Sequence, residues 1–130
     1  MKISHITYSV ENLEDSVEFY SNILSAKVIY KNKETAHLKI GGQWFALVEE
    51  KNTLKVTDDY THLAFYIEED KLDEWLNFLK KNNVYILRGR ERSEKEKKSI
   101  YFKDINGYTF ELHSGTLEDR MTFLNSPYNK

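Results

Sequence analysis

The sequence predicts an α+β fold built from two copies of one βαβββ module, and three observations support this. First, the stretch "SHITYSVE" aligns with "THLAFYIE" in the second half, and "GQWFAL" aligns with "GYTFEL". Second, each half carries one run of apolar residues at helical spacing among strand-like runs. Third, the turn signals Gly41-Gly42 and Asn106-Gly107 precede the last strand of each half. The repeat therefore indicates an internal duplication.

The first half reads as strand, helix and three strands. Alternating residues predict a strand over Ile3–Val10, and Asn12 is a typical N-cap for the helix that follows. Apolar residues then recur at helical spacing, at Leu13, Val17, Tyr20 and Leu24. Three strand-like runs complete this half: Lys27–Tyr30, Thr35–Ile40 and Gln43–Val48.

The second half repeats that order. His62–Ile67 reads as a strand, and Asp70 begins a helix whose apolar stripe is formed by Leu72, Trp75, Leu76 and Leu79. Three strands follow, over Val84–Leu87, Ser99–Lys103 and Tyr108–His113. A short C-terminal helix is predicted near Thr116, where "TLED" resembles a capping start.

These elements predict one domain over residues 1–130. Module one spans about 1–50, a polar linker about 51–59, module two about 60–115, and a C-terminal helix and tail 116–130. A length of 130 residues and an apolar content of 40% supply one sizeable core.

The composition excludes several classes of function. The net charge of −2 gives no basic field for nucleic acid, and no apolar run reaches membrane-spanning length. The absence of cysteine excludes disulfides, thiolate metal sites and a cysteine nucleophile. We therefore expect a cytoplasmic protein without a nucleic acid or membrane partner.

The repeat places two possible metal ligands, His5 and His62, at the same position of the two modules, and Glu111 is a third candidate on the last strand. Strand alternation puts His5, His62 and Glu111 on the faces opposite the apolar ones. Two imidazoles and one carboxylate suit a divalent metal with open coordination positions. Ala46 occupies the position that matches Glu111 in the first half, so three protein ligands are expected. Each histidine taken singly is more typical of a solvent-facing strand residue, and His113 is a competing ligand beside Glu111.

Four longer stretches are distinctive: "SHITYSV", "DDYTHLAF", "GRERSEKEKKSIYFKDINGY" and "FELHSGTLEDR". With these motifs the chain resembles the vicinal oxygen chelate superfamily, and more narrowly its fosfomycin resistance thiol transferases of the bacillithiol-dependent branch. The resemblance implies paired βαβββ modules that form a metal-binding cup in a strand-exchanged homodimer. It also implies a metal held by His5, His62 and Glu111, with Mn²⁺ expected and Mg²⁺, Ni²⁺ or Zn²⁺ as alternatives.

The resemblance further implies an activity and a substrate site. The expected reaction opens the epoxide of fosfomycin with a low-molecular-weight thiol, with bacillithiol or cysteine favoured over glutathione. The implied catalytic residues are Thr7, Tyr101 and Arg120. The implied substrate-binding residues are Trp44, Tyr60, Arg90, Arg92 and Ser99. Three positions depart from the family pattern, His37, Val48 and Tyr108, and Val48 removes a polar group from the phosphonate region.

Other functions remain open at this point. The same cup could serve an isomerase, an Fe(II) dioxygenase or an epoxide hydrolase, or a protein that sequesters a drug without chemistry. Ala46 argues against a four-ligand isomerase, and the short chain against the larger dioxygenases. No carboxylate general base is evident beside Thr7, which disfavours the hydrolase.

Overall fold

The fold was examined in a computed structural model that describes residues 1–51, 59–87 and 98–127. Within these ranges the chain forms eight strands and three α-helices, with a short 3₁₀ turn over Glu69–Lys71. In chain order the elements are β1 His5–Val10, α1 Leu13–Ile23, β2 Lys27–Lys31, β3 Thr35–Ile40, β4 Gln43–Glu49, β5 Leu63–Tyr66, α2 Leu72–Lys81, β6 Tyr85–Leu87, β7 Ser99–Lys103, β8 Thr109–His113 and α3 Leu117–Leu124.

The strands form two four-stranded sheets with the same topology. The order is β1-β4-β3-β2 in one sheet and β5-β8-β7-β6 in the other. In each sheet the first strand pairs parallel with the last, and the remaining pairs are antiparallel. The predicted α+β fold with a repeated βαβββ order is therefore confirmed.

Some element boundaries differ from the predicted ones. β1 begins at His5 rather than Ile3, because its pairing with β4 starts at His5 and Trp44. The Gln43 side chain instead donates to the Ser4 carbonyl at 3.1 Å, which satisfies that group without a further ladder bond. β5 begins at Leu63, so that His62 lies immediately before the strand.

The second helix also begins later than predicted. The sequence pattern places its start at Asp70, whereas α2 begins at Leu72. The residues before it form the 3₁₀ turn, in which the Lys71 N–H donates to the Glu68 carbonyl at 2.9 Å. Such turns commonly lead into α-helices, because they satisfy the first N–H groups locally.

Other local predictions are confirmed. The Asn12 side chain accepts a hydrogen bond from the Asp15 N–H at 3.0 Å, which caps α1. Thr116 and Asp119 form a complete capping box at the start of α3. Both Gly41 and Gly42 have positive φ, the conformation that a two-residue hairpin turn of type I′ requires.

The two sheets belong to two compact units. The first contains the described residues 1–51 with Ile105–Gly107, and its innermost side chains are Tyr20, Phe45 and Leu47, each essentially fully buried. The second contains the remaining described residues. In it Phe110 stacks between Phe65, at 6.0 Å between ring centroids, and Phe102, at 5.7 Å. Apolar faces of the strands thus form each core, as strand alternation predicts.

One turn from the second half of the sequence belongs to the first unit. Asn106 accepts a hydrogen bond from the Glu11 N–H at 3.3 Å through its side-chain oxygen. Its side-chain amide donates to Ser16 Oγ at 3.1 Å. Ser16 is fully buried on α1, so Asn106 satisfies a polar group that would otherwise be costly to bury.

A carboxylate from β4 stabilises the start of α1. Glu49 Oε2 accepts the Leu13 backbone N–H at 2.8 Å, and Lys51 lies 3.3 Å from the other oxygen. The hydrogen bond from Leu13 is the main reason that the pKa of Glu49 is lowered. Burial opposes this shift and the charge of Lys51 adds to it. A negative charge here also complements the helix dipole.

No helix among the described residues is long and apolar enough to span a membrane.

Candidate metal centre

The candidate centre in the second unit is built around Glu111 on β8. The two neighbours of this residue, Phe110 and Leu112, point into the core and are 0% and 1% exposed. Alternation therefore turns Glu111 to the opposite face, where it is nevertheless only 5% exposed. Its Cα partners are Ala64 on β5 and Tyr101 on β7. A buried carboxylate requires partners of opposite charge or hydrogen-bond donors.

One of its partners is His62, whose Nε2 lies 3.0 Å from Glu111 Oε1. The other ring nitrogen, Nδ1, lies 2.6 Å from the Tyr60 carbonyl oxygen. A carbonyl can only accept, so Nδ1 carries a proton and donates it. In the neutral imidazole the lone pair is then on Nε2, facing the carboxylate. Two acceptors at this distance repel one another, and a cation or a proton between them would relieve the repulsion.

The second oxygen of Glu111 is held by two neighbours on the same face. Ser99 Oγ donates a hydrogen bond to Glu111 Oε2. His113 Nδ1 lies 2.6 Å from Ser99 Oγ and 3.3 Å from Glu111 Oε2. The two oxygens of the carboxylate are thus differentiated, with Oε1 facing His62 and Oε2 facing Ser99 and His113.

Two tyrosines line the approach to His62. The hydroxyls of Tyr60 and Tyr101 are hydrogen-bonded at 3.0 Å. Both rings contact His62 edge-on, with centroid distances of 5.0 Å for Tyr60 and 5.3 Å for Tyr101. Tyr101 is 7% exposed and Tyr60 is 59% exposed, so one is fixed in the protein and the other is open to solvent.

In the first unit, the exposed His5 lies at one end of an aromatic cluster. Its ring stacks on Trp44 at 4.2 Å between centroids, and its Nδ1 lies 3.1 Å from Ser4 Oγ. The Trp44 indole N–H donates to His37 Nδ1 at 3.0 Å. Thr7 follows on the same face of β1 and has Ala46 as its Cα partner. The sequence marks His37 only as a departure from the family pattern, and this contact with Trp44 is not predicted by it.

The predicted arginines fall into two groups. Arg120 lies on α3, with its guanidinium carbon 5.8 Å from the centroid of the Phe123 ring. Arg90 and Arg92 lie outside the described residues.

Within residues 1–51, 59–87 and 98–127, no three histidine, aspartate or glutamate side chains form a ready-made metal cluster. The His62 and Glu111 donor set nevertheless fits a divalent metal, because an imidazole lone pair and a carboxylate oxygen face one another at 3.0 Å. His62 also makes the outer hydrogen bond, to the Tyr60 carbonyl, that commonly orients metal-binding histidines.

The contacts of Ser99 could be predicted only in part from the sequence. Ser99 is predicted as a substrate-binding residue, whereas its hydroxyl contacts Glu111 and His113. The register pairs Ser99 with His113 and Tyr101 with Glu111. Ser99 and Glu111 are therefore diagonal neighbours on one face, a relation that follows from alternation once the pairing of β7 and β8 is known.

Comparisons with known proteins establish the family. A model described as the glyoxalase/bleomycin resistance protein/dioxygenase superfamily matches residues 2–112 of this chain. The chain belongs to this superfamily.

Two similar proteins within the glyoxalase/bleomycin resistance protein/dioxygenase superfamily have more specific names. The metallothiol transferase FosB of Staphylococcus haemolyticus is 47% identical over 93% of this chain and 88% of its own length. The metallothiol transferase FosB of Staphylococcus saprophyticus is 48% identical over 93% of this chain and 82% of its own length.

A solved structure gives a similar result. It is a variant of the fosfomycin resistance protein FosX from Listeria monocytogenes, complexed with Mn(II) and 1S,2S-dihydroxypropylphosphonic acid. It is 36% identical, with a TM-score of 0.83, and the match covers 92% of this chain and 94% of that chain. The predicted family resemblance is therefore confirmed.

Proposed function

We propose that this protein is a metal-dependent transferase that opens the epoxide of fosfomycin with a low-molecular-weight thiol, and so confers resistance to the antibiotic. The observation that carries the proposal is the 3.0 Å approach of His62 Nε2 to Glu111 Oε1, with His62 Nδ1 already donating to a backbone carbonyl. Relatives at 47% and 48% identity are named metallothiol transferases, which supports the same activity.

His62 and Glu111, together with His5, would hold the metal. A divalent ion at this position supplies positive charge that stabilises the negative charge developing on the epoxide oxygen as the C–O bond breaks. We propose Mn²⁺ as the ion, since the similar FosX structure was solved with Mn(II).

The reaction also needs a sulfur nucleophile, and the chain contains no cysteine to provide one. The thiol must therefore be a second substrate. The thiol loses its proton to solvent, its sulfur forms a new C–S bond to one epoxide carbon, the C–O bond at that carbon breaks, and the released oxygen takes a proton from solvent. We propose bacillithiol or cysteine as the thiol.

The remaining site residues would bind and orient the substrates. The Tyr101 hydroxyl, which is buried and hydrogen-bonded to that of Tyr60, would donate to the substrate beside the metal. The Arg120 guanidinium would pair with the phosphonate through two parallel hydrogen bonds. Thr7 and Trp44 would line the first-module side of the site. Arg90 and Arg92 complete the proposed set.

The assembly that this site requires is also a proposal. Residues 1–130 would form one domain of two modules joined by a linker at about 51–59, and two chains would form a strand-exchanged homodimer. His5 of one subunit would then join His62 and Glu111 of the other. A cytoplasmic location suits a thiol substrate, because that compartment keeps thiols reduced.

The direct test incubates the full chain with Mn²⁺, fosfomycin and each of bacillithiol, cysteine and glutathione, and identifies products by mass spectrometry. We expect a thioether adduct that Glu111→Gln abolishes. The control Glu74→Gln, which removes an exposed carboxylate on α2, should leave the adduct unchanged. Failure to form an adduct with any of the three thiols would refute the proposal. Protection of cells that persists in Glu111→Gln would instead indicate sequestration.

A second candidate is hydration of the epoxide. The similar FosX structure contains a dihydroxypropylphosphonic acid, and a vicinal diol is what addition of water to an epoxide yields. The same assay separates the two reactions, since a diol formed without thiol would indicate a hydrolase.

A further inference from the structure

We infer that Ser99 and His113 are positioning residues, which fix the Glu111 carboxylate so that its Oε1 is held toward His62, where the metal would bind. The inference rests on the proposed metal-dependent function and adds residues to it that are not themselves metal ligands. Ser99 would act on Glu111 directly, and His113 would act chiefly through Ser99, because its Nδ1 lies 2.6 Å from Ser99 Oγ and 3.3 Å from Glu111 Oε2.

The donors and acceptors around Ser99 allow one arrangement. A serine hydroxyl has a single proton, and the Ser99 proton is directed to Glu111 Oε2. Ser99 Oγ is therefore the acceptor in its 2.6 Å contact with His113 Nδ1. The hydrogen bonds run in one direction, from the His113 N–H to the Ser99 hydroxyl and on to the carboxylate.

This direction leaves Ser99 little capacity for substrate. Its proton is already donated and one of its lone pairs is occupied, so it has no donor left for an anionic phosphonate. Its position also fits a ligand-orienting role, because Ser99 and Glu111 are diagonal neighbours on adjacent strands of one face. We therefore assign Ser99 to the carboxylate rather than to fosfomycin.

The low solvent exposure of Glu111 and His113 strengthens the hydrogen bonds that orient the Glu111 carboxylate. The Glu111 side chain is 7% exposed and that of His113 is 24% exposed. Hydrogen bonds to a charged group are strong where water is largely excluded. With Oε2 held by Ser99, rotation of the carboxylate is restricted, and Oε1 remains directed at His62 Nε2, 3.0 Å away. Loss of such outer contacts typically lowers metal affinity about 10- to 100-fold.

The test measures Mn²⁺ dissociation constants of the purified protein by electron paramagnetic resonance, which counts free Mn²⁺ and needs no turnover. We expect Ser99→Ala to bind Mn²⁺ about 10- to 100-fold more weakly than the original protein. Ser99→Thr, which restores a hydroxyl, should recover most of the affinity. Ser114→Ala is the matched control, because Ser114 is a buried serine just after the neighbouring strand β8 but bonds to the Lys98 backbone instead of Glu111.

His113 is tested by a pair of variants and a double variant. His113→Asn keeps a donor near the position of Nδ1 and should bind Mn²⁺ normally, whereas His113→Leu should bind it several-fold more weakly. Because His113 acts chiefly through Ser99, the loss of Mn²⁺ affinity in the combined Ser99→Ala and His113→Leu variant should be clearly smaller than the sum of the two single losses. A purely structural role for His113 would instead give additive losses.

The outcomes separate this inference from the proposed function. If Glu111→Gln and His62→Ala bind Mn²⁺ as tightly as the original protein, the proposed metal site is wrong. If those two variants lose Mn²⁺ but Ser99→Ala binds it within about twofold, the positioning role is wrong. Loss of affinity in Ser114→Ala equal to that in Ser99→Ala also refutes the positioning role. Circular dichroism of each variant identifies any that fails to fold, in which case Ser99→Cys replaces Ser99→Ala.

Discussion

The contact between Glu111 and His62 predicts that the Glu111→Gln variant is more stable than the original protein without metal and less stable than it with Mn²⁺. A glutamine side chain has the same shape, so its oxygen can still accept the hydrogen bond from Ser99. Its NH₂ group then points to His62 Nε2 and donates to the lone pair there. The variant replaces two opposed acceptors, 3.0 Å apart, with a hydrogen bond.

The magnitude follows from these contacts. One net hydrogen bond contributes about 0.5–1.5 kcal/mol to the free energy of unfolding. For a chain of 130 residues, about 1 kcal/mol corresponds to a rise in Tm of about 3–5 °C. Without metal, we therefore expect Glu111→Gln to melt a few degrees above the original protein.

Mn²⁺ should reverse this order. At a concentration about 100 times its dissociation constant, a metal stabilises the folded state by about 2.7 kcal/mol. That gain belongs to the original protein alone, because the glutamine NH₂ occupies the His62 lone pair. We expect the original protein to melt higher than the variant once Mn²⁺ is saturating.

The assay is thermal unfolding followed by circular dichroism at pH 8, in EDTA and across a Mn²⁺ titration. Glu74→Gln serves as the control and should follow the original protein in both conditions. A Mn²⁺-dependent rise in Tm that persists in Glu111→Gln would refute the metal site. A variant that melts well below the original protein in EDTA would refute the assignment of the lone pair to His62 Nε2.

Three further changes test other parts of the molecule. Trp44→Ala removes the ring stacked on His5, and in calorimetry it should bind Mn²⁺ about tenfold more weakly. Trp44→Phe keeps a ring and should bind Mn²⁺ almost normally in the same measurement. Glu49→Gln should lower Tm at neutral pH, because the Leu13 N–H favours the charged form of Glu49. The Tm difference between the variant and the original protein should vanish as the pH falls through the lowered pKa of Glu49, and a Tm difference that persists in acid would contradict this. Phe110→Ala should cost about 3–5 kcal/mol in urea unfolding, and a loss below about 1 kcal/mol would argue against its packing between two rings.

Most of the fold follows from features that are local in sequence. Strand alternation, the Asn12 and Thr116 caps and the Gly41-Gly42 turn each depend on a few adjacent residues, and the duplication extends these signals to the whole chain. The predicted starts of β1 and α2 were wrong by two residues. In both places the start of the element is set by hydrogen bonds, from the Gln43 side chain for β1 and within the 3₁₀ turn for α2. Such hydrogen bonds produce no periodic pattern in the sequence.

The candidate site was predictable only in part. The repeat pairs His62 with His5 and Glu111 with Ala46, and strand alternation puts both His62 and Glu111 opposite the apolar faces; the structure places these two side chains 3.0 Å apart. The environment of Ser99 depends on the register of β7 against β8, which alternation within one strand cannot determine. The contact of Trp44 with His37 likewise depends on pairing between β3 and β4.

The placement of Asn106 has a consequence for how the chain is made. Its partner Ser16 is 90 residues earlier, so the inner face of α1 acquires its buried polar contact only after almost the entire protein has been synthesised. Contacts of such long sequence separation slow folding. A ribosome-bound chain that ends before residue 106 would present a first module with an unsatisfied serine hydroxyl in its core. The duplicated halves are therefore not interchangeable, self-sufficient units, and a gene fragment encoding only the first would lack a structural part carried by the second.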